Sequence, residues 1–345
     1  MNSNPLLEHP VTDPADLYRQ RDAIYAVDLL AVGLVHLDIF SWLAANPSDP
    51  TAICRSFGLA ERPADVMLTL FVAMGLLERQ DGIFRVTETA REHLVNGSPW
   101  NLGPYYAFLK DRPGCKDLLS VLKTGKPANW ASLKHEKAWA QAMESEEFST
   151  QFTAAMDCRG SFLGPALARS LSFHGYQKLL DIAGGSGIYA CAIVARHPHL
   201  SGSVFEKPPV DKITAGWISR RGFSTRVSVL SGDMFSEPLP TGFDVHLFSN
   251  VLHDWDVPKV KELLSRSHEA LLPGGMIIVH DAHLNREKTG PLPVAEYSVL
   301  LMHATEGRCY SVVEMEAYLK GAGFTGMKYM ATAANRSVVT AKKPK

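Results

Sequence analysis

Residues 178–187 read KLLDIAGGSG, a short apolar run that ends in a glycine-rich turn, and an apolar helical pattern follows it. Further short apolar runs lie at residues 203–205, 227–230, 245–248 and 276–279. Segments of helical pattern separate several of these runs. Strands that alternate with helices are typical of a parallel sheet that helices cover on both faces. The sequence therefore predicts an α/β domain over residues 176–345, in which the glycine turn follows the first strand.

The chain ends in two more apolar runs, at residues 327–330 and 337–340. Only a few residues separate them, and a parallel crossover needs a dozen or more. We therefore expect an antiparallel pair at one edge of the sheet.

Composition and charge limit the classes of partner. The 345 residues include 46% hydrophobic and 21% charged residues, and the net charge of −1 comes from 35 basic and 36 acidic side chains. This balance gives no long-range attraction to nucleic acid or to an anionic membrane. The five cysteines are scattered, without a CxxC pair, which is typical of a reducing compartment. No signal peptide or apolar run of about 20 residues is visible, so we expect a cytoplasmic protein.

The N-terminal part, residues 1–110, has the pattern of a helical domain with one hairpin. An apolar helix is predicted over residues 29–40, and a second over residues 63–75. Asp81-Gly82 joins two short apolar-containing runs, which is a hairpin signal. Helix, helix and hairpin is the winged-helix arrangement.

A winged helix can bind DNA or serve as a dimerisation platform. The candidate recognition helix carries Glu61 and Asp65 beside Arg62, and it has no basic stripe for phosphates. Dimerisation is therefore the favoured role. Residues 111–175 are predicted to form a helical connector, in which Phe152 and Met156 belong either to the core or to a substrate pocket.

Three acidic residues indicate what the glycine turn binds, since such a turn alone also suits a nicotinamide dinucleotide. Asp181 stands three residues before Gly184, where a carboxylate would repel phosphates and suits the ammonium group of a methionine moiety. Glu206 closes the next strand and is placed for ribose hydroxyls, as it also would be in a dinucleotide site. Asp233 and Met234 follow the third strand and suit an adenine ring, although the alternative for Asp233 alone is a turn or helix-cap residue. Together they indicate S-adenosylmethionine, with S-adenosylhomocysteine as product.

A candidate base follows the fourth strand in the segment FSNVLHDW at residues 248–255. Open α/β sheets bind ligands beyond the carboxyl ends of their strands, so His253 is placed for chemistry. A histidine takes a proton from a hydroxyl near neutral pH, whereas the alternative is a buried structural histidine. Asp281 follows the fifth strand and would orient His253. The nearby histidines fit no common zinc spacing, so no metal is expected.

These motifs resemble the plant-type and acetylserotonin-type small-molecule O-methyltransferases, which include bacterial natural-product enzymes. DIAGGSG at 181–187 resembles the DxGGGxG loop, with Ala183 at its first glycine. FEKPPV at 205–210 resembles FDLPxV, GDMF at 232–235 resembles GDxF, and LHDW at 252–255 is the most specific match. PGG at 273–275 and AGF at 322–324 extend the likeness over nearly the whole chain.

The resemblance implies a class I methyltransferase with a Rossmann-like domain, an N-terminal winged-helix domain through which two chains form a homodimer, and a small-molecule acceptor. It implies His253 as general base and Asp281 at the place of a family glutamate. The expected cofactor contacts are Asp181, Gly184, Gly185, Glu206, Asp233, Met234, Phe235, Ser249 and Asn250. The candidate acceptor residues, by position, are Phe152, Met156, Asp254, Met302, His303 and Cys309.

Three departures from the family pattern bear on the chemistry. Ser249 stands where the family often has lysine, and Glu206 replaces an aspartate. Cys309 stands near the place of a second catalytic glutamate, so either Asp281 suffices, or Glu306 substitutes, or an acidic phenol needs less base assistance. Two alternatives follow: another reaction on the same scaffold (hydroxylation, decarboxylation or cyclisation), or a DNA-binding regulator. A phenolic or enolic acceptor from secondary metabolism is the main expectation.

Overall fold

The computed structural model describes residues 5–8, 10–128 and 142–345. The chain divides into two compact units. The sheet unit comprises Met1–Ala15, Lys137–Ala282 and Val312–Lys345, and the helical unit comprises Asp16–Glu136 and His283–Ser311. Part of the predicted helical connector, at residues 129–141, lies outside the described residues. The predicted domain boundaries after residues 110 and 175 stay a prediction.

The elements of the described residues run as follows. The first eight helices are α1 (Ala15–Asp22), α2 (Ala26–Ala31), α3 (Ile39–Ala45), α4 (Pro50–Phe57), α5 (Glu61–Ala73), α6 (Glu88–His93), α7 (Gly103–Tyr106) and α8 (Pro113–Thr124), with strands β1 (Leu77–Gln80) and β2 (Ile83–Val86) between α5 and α6. Then come α9 (Glu146–Ser170), β3 (Lys178–Ile182), α10 (Ile188–Arg196), β4 (Ser201–Glu206), α11 (Val210–Arg220), β5 (Val227–Ser231) and β6 (Val245–Ser249). The chain ends with α12 (Val257–Ala270), β7 (Met276–Asp281), α13 (Leu292–Ala304), α14 (Val312–Gly321), β8 (Thr325–Ala331) and β9 (Ser337–Lys342).

The sheet unit is built on seven strands in the order β5-β4-β3-β6-β7-β9-β8. Strands β3 to β7 pair in parallel, while β9 pairs antiparallel with β7 and with β8. The predicted α/β fold and its antiparallel edge are both confirmed. Every residue of β6 and β7 is buried, as strands covered on both faces must be.

The strand order reverses at β3, because the chain leaves it toward β4 on one side and later returns to β6 on the other. In open α/β sheets the ligand crevice lies at such a switch point, beyond the carboxyl ends of the strands. The turn after β3 and the segment after β6 therefore both open on this crevice.

Helix α9 packs closely on α10 through two glycines. A Cβ atom at Gly160 would lie 2.3 Å from Cγ2 of Ile188, and one at Gly164 would lie 3.4 Å from the Ile188 carbonyl oxygen. Contacts below 3.0 Å require a neighbour to shift. The two glycines therefore fix the position of α9 along α10.

In the helical unit the predicted hairpin forms between β1 and β2. Asp81 and Gly82 both have positive φ, 51° and 81°, as the favoured two-residue hairpin turn requires. The predicted helix over residues 29–40 is wrong as a single element. It is broken by a π-helical turn, Val32–His36, and by Asp38, whose φ is +47°.

Among the described residues no single helix is long and apolar enough to cross a membrane. One pair of helical segments, Ala26–His36 and Ile39–Ala45, meets the length and composition criteria only jointly, across a 58° bend.

Candidate active site

The turn after β3 surrounds an isolated carboxylate. Asp181 is fully buried, and neither of its oxygens has a hydrogen-bond partner among the described residues. The backbone N–H of Ala190 comes near enough to lower the pKa of Asp181 slightly, but its geometry falls short of a hydrogen bond. A Cβ atom at Gly184 would lie 2.5 Å from this carboxyl group, so only glycine fits there. Buried polar groups are normally satisfied, and a carboxylate without a partner can pair with a cationic ligand.

A second buried carboxylate lies on the next strand. Glu206 accepts hydrogen bonds from the backbone N–H groups of Gly185, at 2.9 Å, and Lys207, at 3.1 Å. Burial raises the pKa of Glu206 to about 7. Burial, followed by the charge of Glu206, raises the pKa of Asp181 to about 8. We call the site of Asp181 and Glu206 the cradle. Burial raises the pKa of both carboxyl groups, and such groups suit a ligand that brings an ammonium group, a sulfonium and hydroxyl donors. S-adenosylmethionine is such a ligand and fits this cradle.

The predicted adenine residues follow β5 and stand at the same edge of the sheet. Asp233 Oδ1 accepts a hydrogen bond from the N–H of Phe235 at 2.8 Å, which is the turn role that was the alternative for this residue. The Phe235 ring packs edge-on against Trp255, with centroids 4.6 Å apart. Asp233, Met234 and Phe235 are all partly exposed. Their contact with adenine stays a prediction.

The candidate base and its partner meet because β6 and β7 are adjacent and parallel. A 3₁₀ turn, Leu252–Asp254, follows β6 and brings His253 over the end of β7. The Nδ1 atom of His253 lies 2.5 Å from Oδ1 of Asp281, and the same oxygen accepts from the N–H of Ala282 at 2.8 Å. A proton on Nδ1 leaves Nε2 as the basic atom of a neutral His253.

A second carboxylate flanks this histidine. Nε2 of His253 lies 3.7 Å from Oδ1 of Asp254. Burial lowers the pKa of His253, but the charges of Asp281 and Asp254 outweigh it, and the net shift is upward. Burial raises the pKa of Asp254 to about 6. His253 is thus a stronger base than an exposed histidine.

The segment between β6 and His253 is fixed by side chains rather than by regular structure. Asn250 has a φ of +55°, in the left-handed region. Its Nδ2 donates to Tyr189 Oη at 3.1 Å, and its Oδ1 accepts from Arg336 Nε at 3.2 Å. Ser249 Oγ is 2.8 Å from Nδ1 of His280. Ser249 and Asn250 therefore hold the turn that carries His253, and their predicted cofactor contacts stay a prediction.

The candidate acceptor residues fall in both units. In the sheet unit, Phe152 and Met156 are partly buried on α9. In the helical unit, Met302 and Cys309 are fully buried. His303 stacks on Tyr25 with ring centroids 4.1 Å apart, and burial lowers its pKa. The structure gives each of these side chains a packed environment, and their contact with an acceptor stays a prediction.

The histidines near the site have partners other than a metal. His280 bonds Ser249 and lies 3.3 Å from Oγ1 of Thr332, and His303 lies 3.6 Å from a carboxylate oxygen of Asp117. Within residues 5–8, 10–128 and 142–345, no group of three or more His, Cys, Asp or Glu side chains is arranged to hold a metal ion.

Sequence reasoning missed three residues around the base: Arg159, Tyr189 and Arg336. The charge of Arg159 acts on both His253 and Asp254. Its position three residues after Met156, on the same helix face, was a signal that could have identified it. Tyr189 and Arg336 carry no such signal, because their partners are distant in sequence.

Comparison with known proteins identifies the family. The family model described as an O-methyltransferase domain matches residues 116–325. A 3-hydroxy-5-methyl-1-naphthoate 3-O-methyltransferase of Streptomyces sahachiroi is 30% identical over 84% of the chain and 83% of the relative.

Solved structures agree as well. An O-methyltransferase family 2 protein from Planctomyces limnophilus, crystallised with apigenin, matches with a TM-score of 0.89 and 32% identity over 99% of this chain and 100% of that one. Human N-acetylserotonin methyltransferase in complex with S-adenosylmethionine shares the fold, with a TM-score of 0.62 and 24% identity over 98% of this chain and 100% of that one. These likenesses support methyl transfer over the alternative reactions and over a regulator. The chain belongs to the O-methyltransferase family and is an S-adenosylmethionine-dependent O-methyltransferase of small molecules.

Proposed function

We propose that the enzyme methylates a phenolic hydroxyl and that His253 is its general base. The observation that carries this proposal is the hydrogen bond between His253 and Asp281, placed beyond the carboxyl ends of β6 and β7. The cradle formed by Asp181 and Glu206 stands at the same edge of the sheet, on the neighbouring strands β3 and β4.

The reaction needs one proton transfer and one bond exchange. Bound S-adenosylmethionine supplies a methyl group on a sulfonium. The acceptor oxygen forms a bond to the methyl carbon while the carbon–sulfur bond breaks, and the electron pair of that bond stays on sulfur. Nε2 of His253 takes the acceptor's proton, and Asp281 stabilises the resulting imidazolium. Holding the reacting atoms in line supplies much of the remaining rate.

The acceptor class is proposed from two sources. One relative is named for its action on a hydroxynaphthoate, and one similar structure contains apigenin; both compounds are aromatic and carry hydroxyl groups. We propose a hydroxyl on a fused or polycyclic aromatic ring, of the kind made in secondary metabolism. Phe152, Met156 and Asp254 of the sheet unit are its proposed contacts, while the roles of Met302, His303 and Cys309 stay predictions.

A homodimer through the winged-helix part, residues 1–110, is supported by exposed apolar side chains of the helical unit. Leu17, Tyr105 and Phe108 are 70%, 76% and 90% exposed, and Ile24, Val27, Trp100 and Leu102 are also exposed. Burying such groups favours association. Sedimentation should give a mass of two chains, and Phe108→Asp should shift the protein toward one chain. A wild-type protein that stays single at micromolar concentration would contradict the dimer.

A cytoplasmic enzyme without nucleic-acid or membrane partners is proposed on charge grounds. Arg62 on α5 donates to backbone carbonyl oxygens of Gly307, at 2.8 Å, and Gly125, at 2.9 Å. Asp65, on the same helix, pairs with Lys288. This helix therefore offers phosphates little positive charge, and a gel-shift assay at low salt should show no DNA binding.

The cradle is tested by titration calorimetry with S-adenosylmethionine and S-adenosylhomocysteine. Wild-type protein should bind both. Glu206→Ala should weaken both by about 10- to 100-fold, because a charged acceptor is lost from ribose hydroxyls. Glu262→Ala, on the exposed side of α12, is the control and should bind like wild type. Equal affinity in the Glu206 variant would place the ribose elsewhere, and folded wild type that binds neither ligand would contradict the cradle.

A further inference from the structure

One face of α9 carries two apolar side chains and a cation. Phe152, Met156 and Arg159 are spaced by four and three residues, which places them in a row along one side of a helix. All three are partly buried. The contacts of Gly160 with Ile188 fix this part of α9 on α10, so the row cannot slide or turn easily. Arg159 is thus held at a defined place.

That part of α9 lies close to the turn that carries the base. Gly160 packs against Ile188 at the start of α10, and the next residue, Tyr189, accepts a hydrogen bond from Asn250 of that turn at 3.1 Å. Burial raises the pKa of Asp254 and of Tyr189, and two carboxylates raise that of His253 against the effect of burial; the positive charge of Arg159 opposes all three rises. These groups stand on two segments of the sheet unit, the turn after β6 and the start of α10. Arg159, the residue before Gly160, therefore lies on the part of α9 that packs beside these two segments.

The base is otherwise surrounded by negative charge. Asp281 bonds its Nδ1, and Asp254 stands 3.7 Å from its Nε2. When the proton of an acceptor moves to His253, the acceptor oxygen gains a negative charge next to these carboxylates. Like charges at such distances repel, and in a buried site the repulsion is large. Of the described residues, Arg159 is the arginine or lysine whose charge acts on both His253 and Asp254.

We propose that Arg159 contacts the acceptor and holds it as an oxyanion next to His253, so that the enzyme selects aromatic hydroxyls that are more acidic than an ordinary phenol. This inference rests on the proposed function, because it assumes an aromatic acceptor at His253. It adds a specificity residue on α9 and the chemical class of the acceptor.

In this reaction His253 and Arg159 have different roles. His253 receives the proton, and its imidazolium and the Arg159 guanidinium both stabilise the oxyanion. The oxyanion then forms the bond to the methyl carbon as the carbon–sulfur bond breaks. An electron-withdrawing group on the ring, such as a carbonyl or a nitro group, favours the ionised state. Acceptors of this kind gain most from Arg159.

The test measures binding rather than turnover. The probes are 1-naphthol and 4-nitro-1-naphthol, titrated into protein saturated with S-adenosylhomocysteine; the nitro group makes the hydroxyl acidic and gives its anion a visible absorbance. Wild type should prefer the nitro compound and bind it as the anion. Arg159→Met should weaken the nitro compound by about 10- to 100-fold, the usual effect of losing a charged hydrogen bond, and change 1-naphthol much less. Arg159→Lys should restore part of the loss.

Controls separate a local effect from a change in fold or net charge. Arg196→Met removes an exposed positive charge at the end of α10 and should bind both probes like wild type. Each variant should keep its affinity for S-adenosylhomocysteine. The His253 ring should also titrate at higher pH in Arg159→Met than in wild type, as seen by NMR, since a cation that lowers its pKa is gone.

Equal binding of the nitro compound by wild type and Arg159→Met, or an unchanged His253 titration, would overturn the role of Arg159 and leave the methyltransferase site intact. Failure of wild type to bind either naphthol would instead overturn the proposed acceptor class, and the inference with it.

Discussion

Replacing His253 with alanine should lower kcat by about 10²- to 10⁴-fold, the usual contribution of a positioned general base. The reason is geometric: Nδ1 is fixed by Asp281 at 2.5 Å, which leaves Nε2 to take the acceptor's proton. Affinity for S-adenosylmethionine should stay within a few-fold, because the cradle residues lie on β3 and β4. Release of S-adenosylhomocysteine with a phenolic acceptor is the measurement. His174→Ala, an exposed histidine of the sheet unit, is the matched control.

The pH dependence identifies the base. Only neutral His253 accepts a proton, so kcat/KM should fall as the pH drops below its pKa. That pKa lies above the ordinary 6.5, because Asp281 and Asp254 outweigh the effect of burial. Asp281→Asn removes a negative charge, so this fall should move to lower pH while kcat decreases. A loss below about tenfold in His253→Ala, or an unmoved pH profile in Asp281→Asn, would show that the base lies elsewhere.

Asp181→Asn should abolish tight cofactor binding and stabilise the cofactor-free protein. The carboxylate is fully buried and makes no hydrogen bond, so its charge disfavours folding until a cation pairs with it. Removing one partner of such a buried pair weakens binding by about 100-fold or more. Titration calorimetry measures the affinity, and urea unfolding without ligand measures the stability. Glu262→Ala should change neither quantity.

The stability difference should depend on pH with a definite sign. The pKa of Asp181 is raised from 3.8 to about 8 in the folded protein, mainly by burial. Between these values the folded state keeps a proton that the unfolded state has lost. Raising the pH from 4 to 8 therefore favours unfolding of the wild type, and Asp181→Asn should lose less stability over this range.

Cofactor binding should release that proton at neutral pH, because the cation favours the ionised carboxylate. Calorimetry in buffers of different ionisation enthalpy should detect up to about one proton released, and fewer in Asp181→Asn. Stability that is independent of pH in this range, together with no proton release, would show that Asp181 is ionised in the free protein.

Some features followed from the sequence because they are local. The strand KLLDI and its glycine turn occupy the predicted positions, and the predicted strands after it reappear in the parallel sheet. Residues that end parallel strands share one edge of the sheet. The strand order alone therefore leads one to expect that the carboxylates of Asp181 and Glu206 lie close together, and that His253 pairs with Asp281. The Asp81-Gly82 turn is equally local, since two positive φ angles determine it.

Other features depended on packing between distant segments. The side chain of Asn250 bonds Tyr189 and Arg336, which are 61 and 86 residues away, and the sequence did not predict these bonds. The helix predicted over residues 29–40 breaks at Asp38, where φ becomes positive, and no pattern in the sequence predicted that break.

Sequence periodicity determined the sheet and which residues became candidates for the cradle and the base, because these depend on which residues end each strand. The tertiary structure alone decided which charges surround the base. Gly160 lets α9 pack closely on Ile188 of α10, and the position of Arg159, the residue before it, depends on this fit of two surfaces. Local pattern determines which residues point toward the crevice, whereas close packing determines which of them meet there.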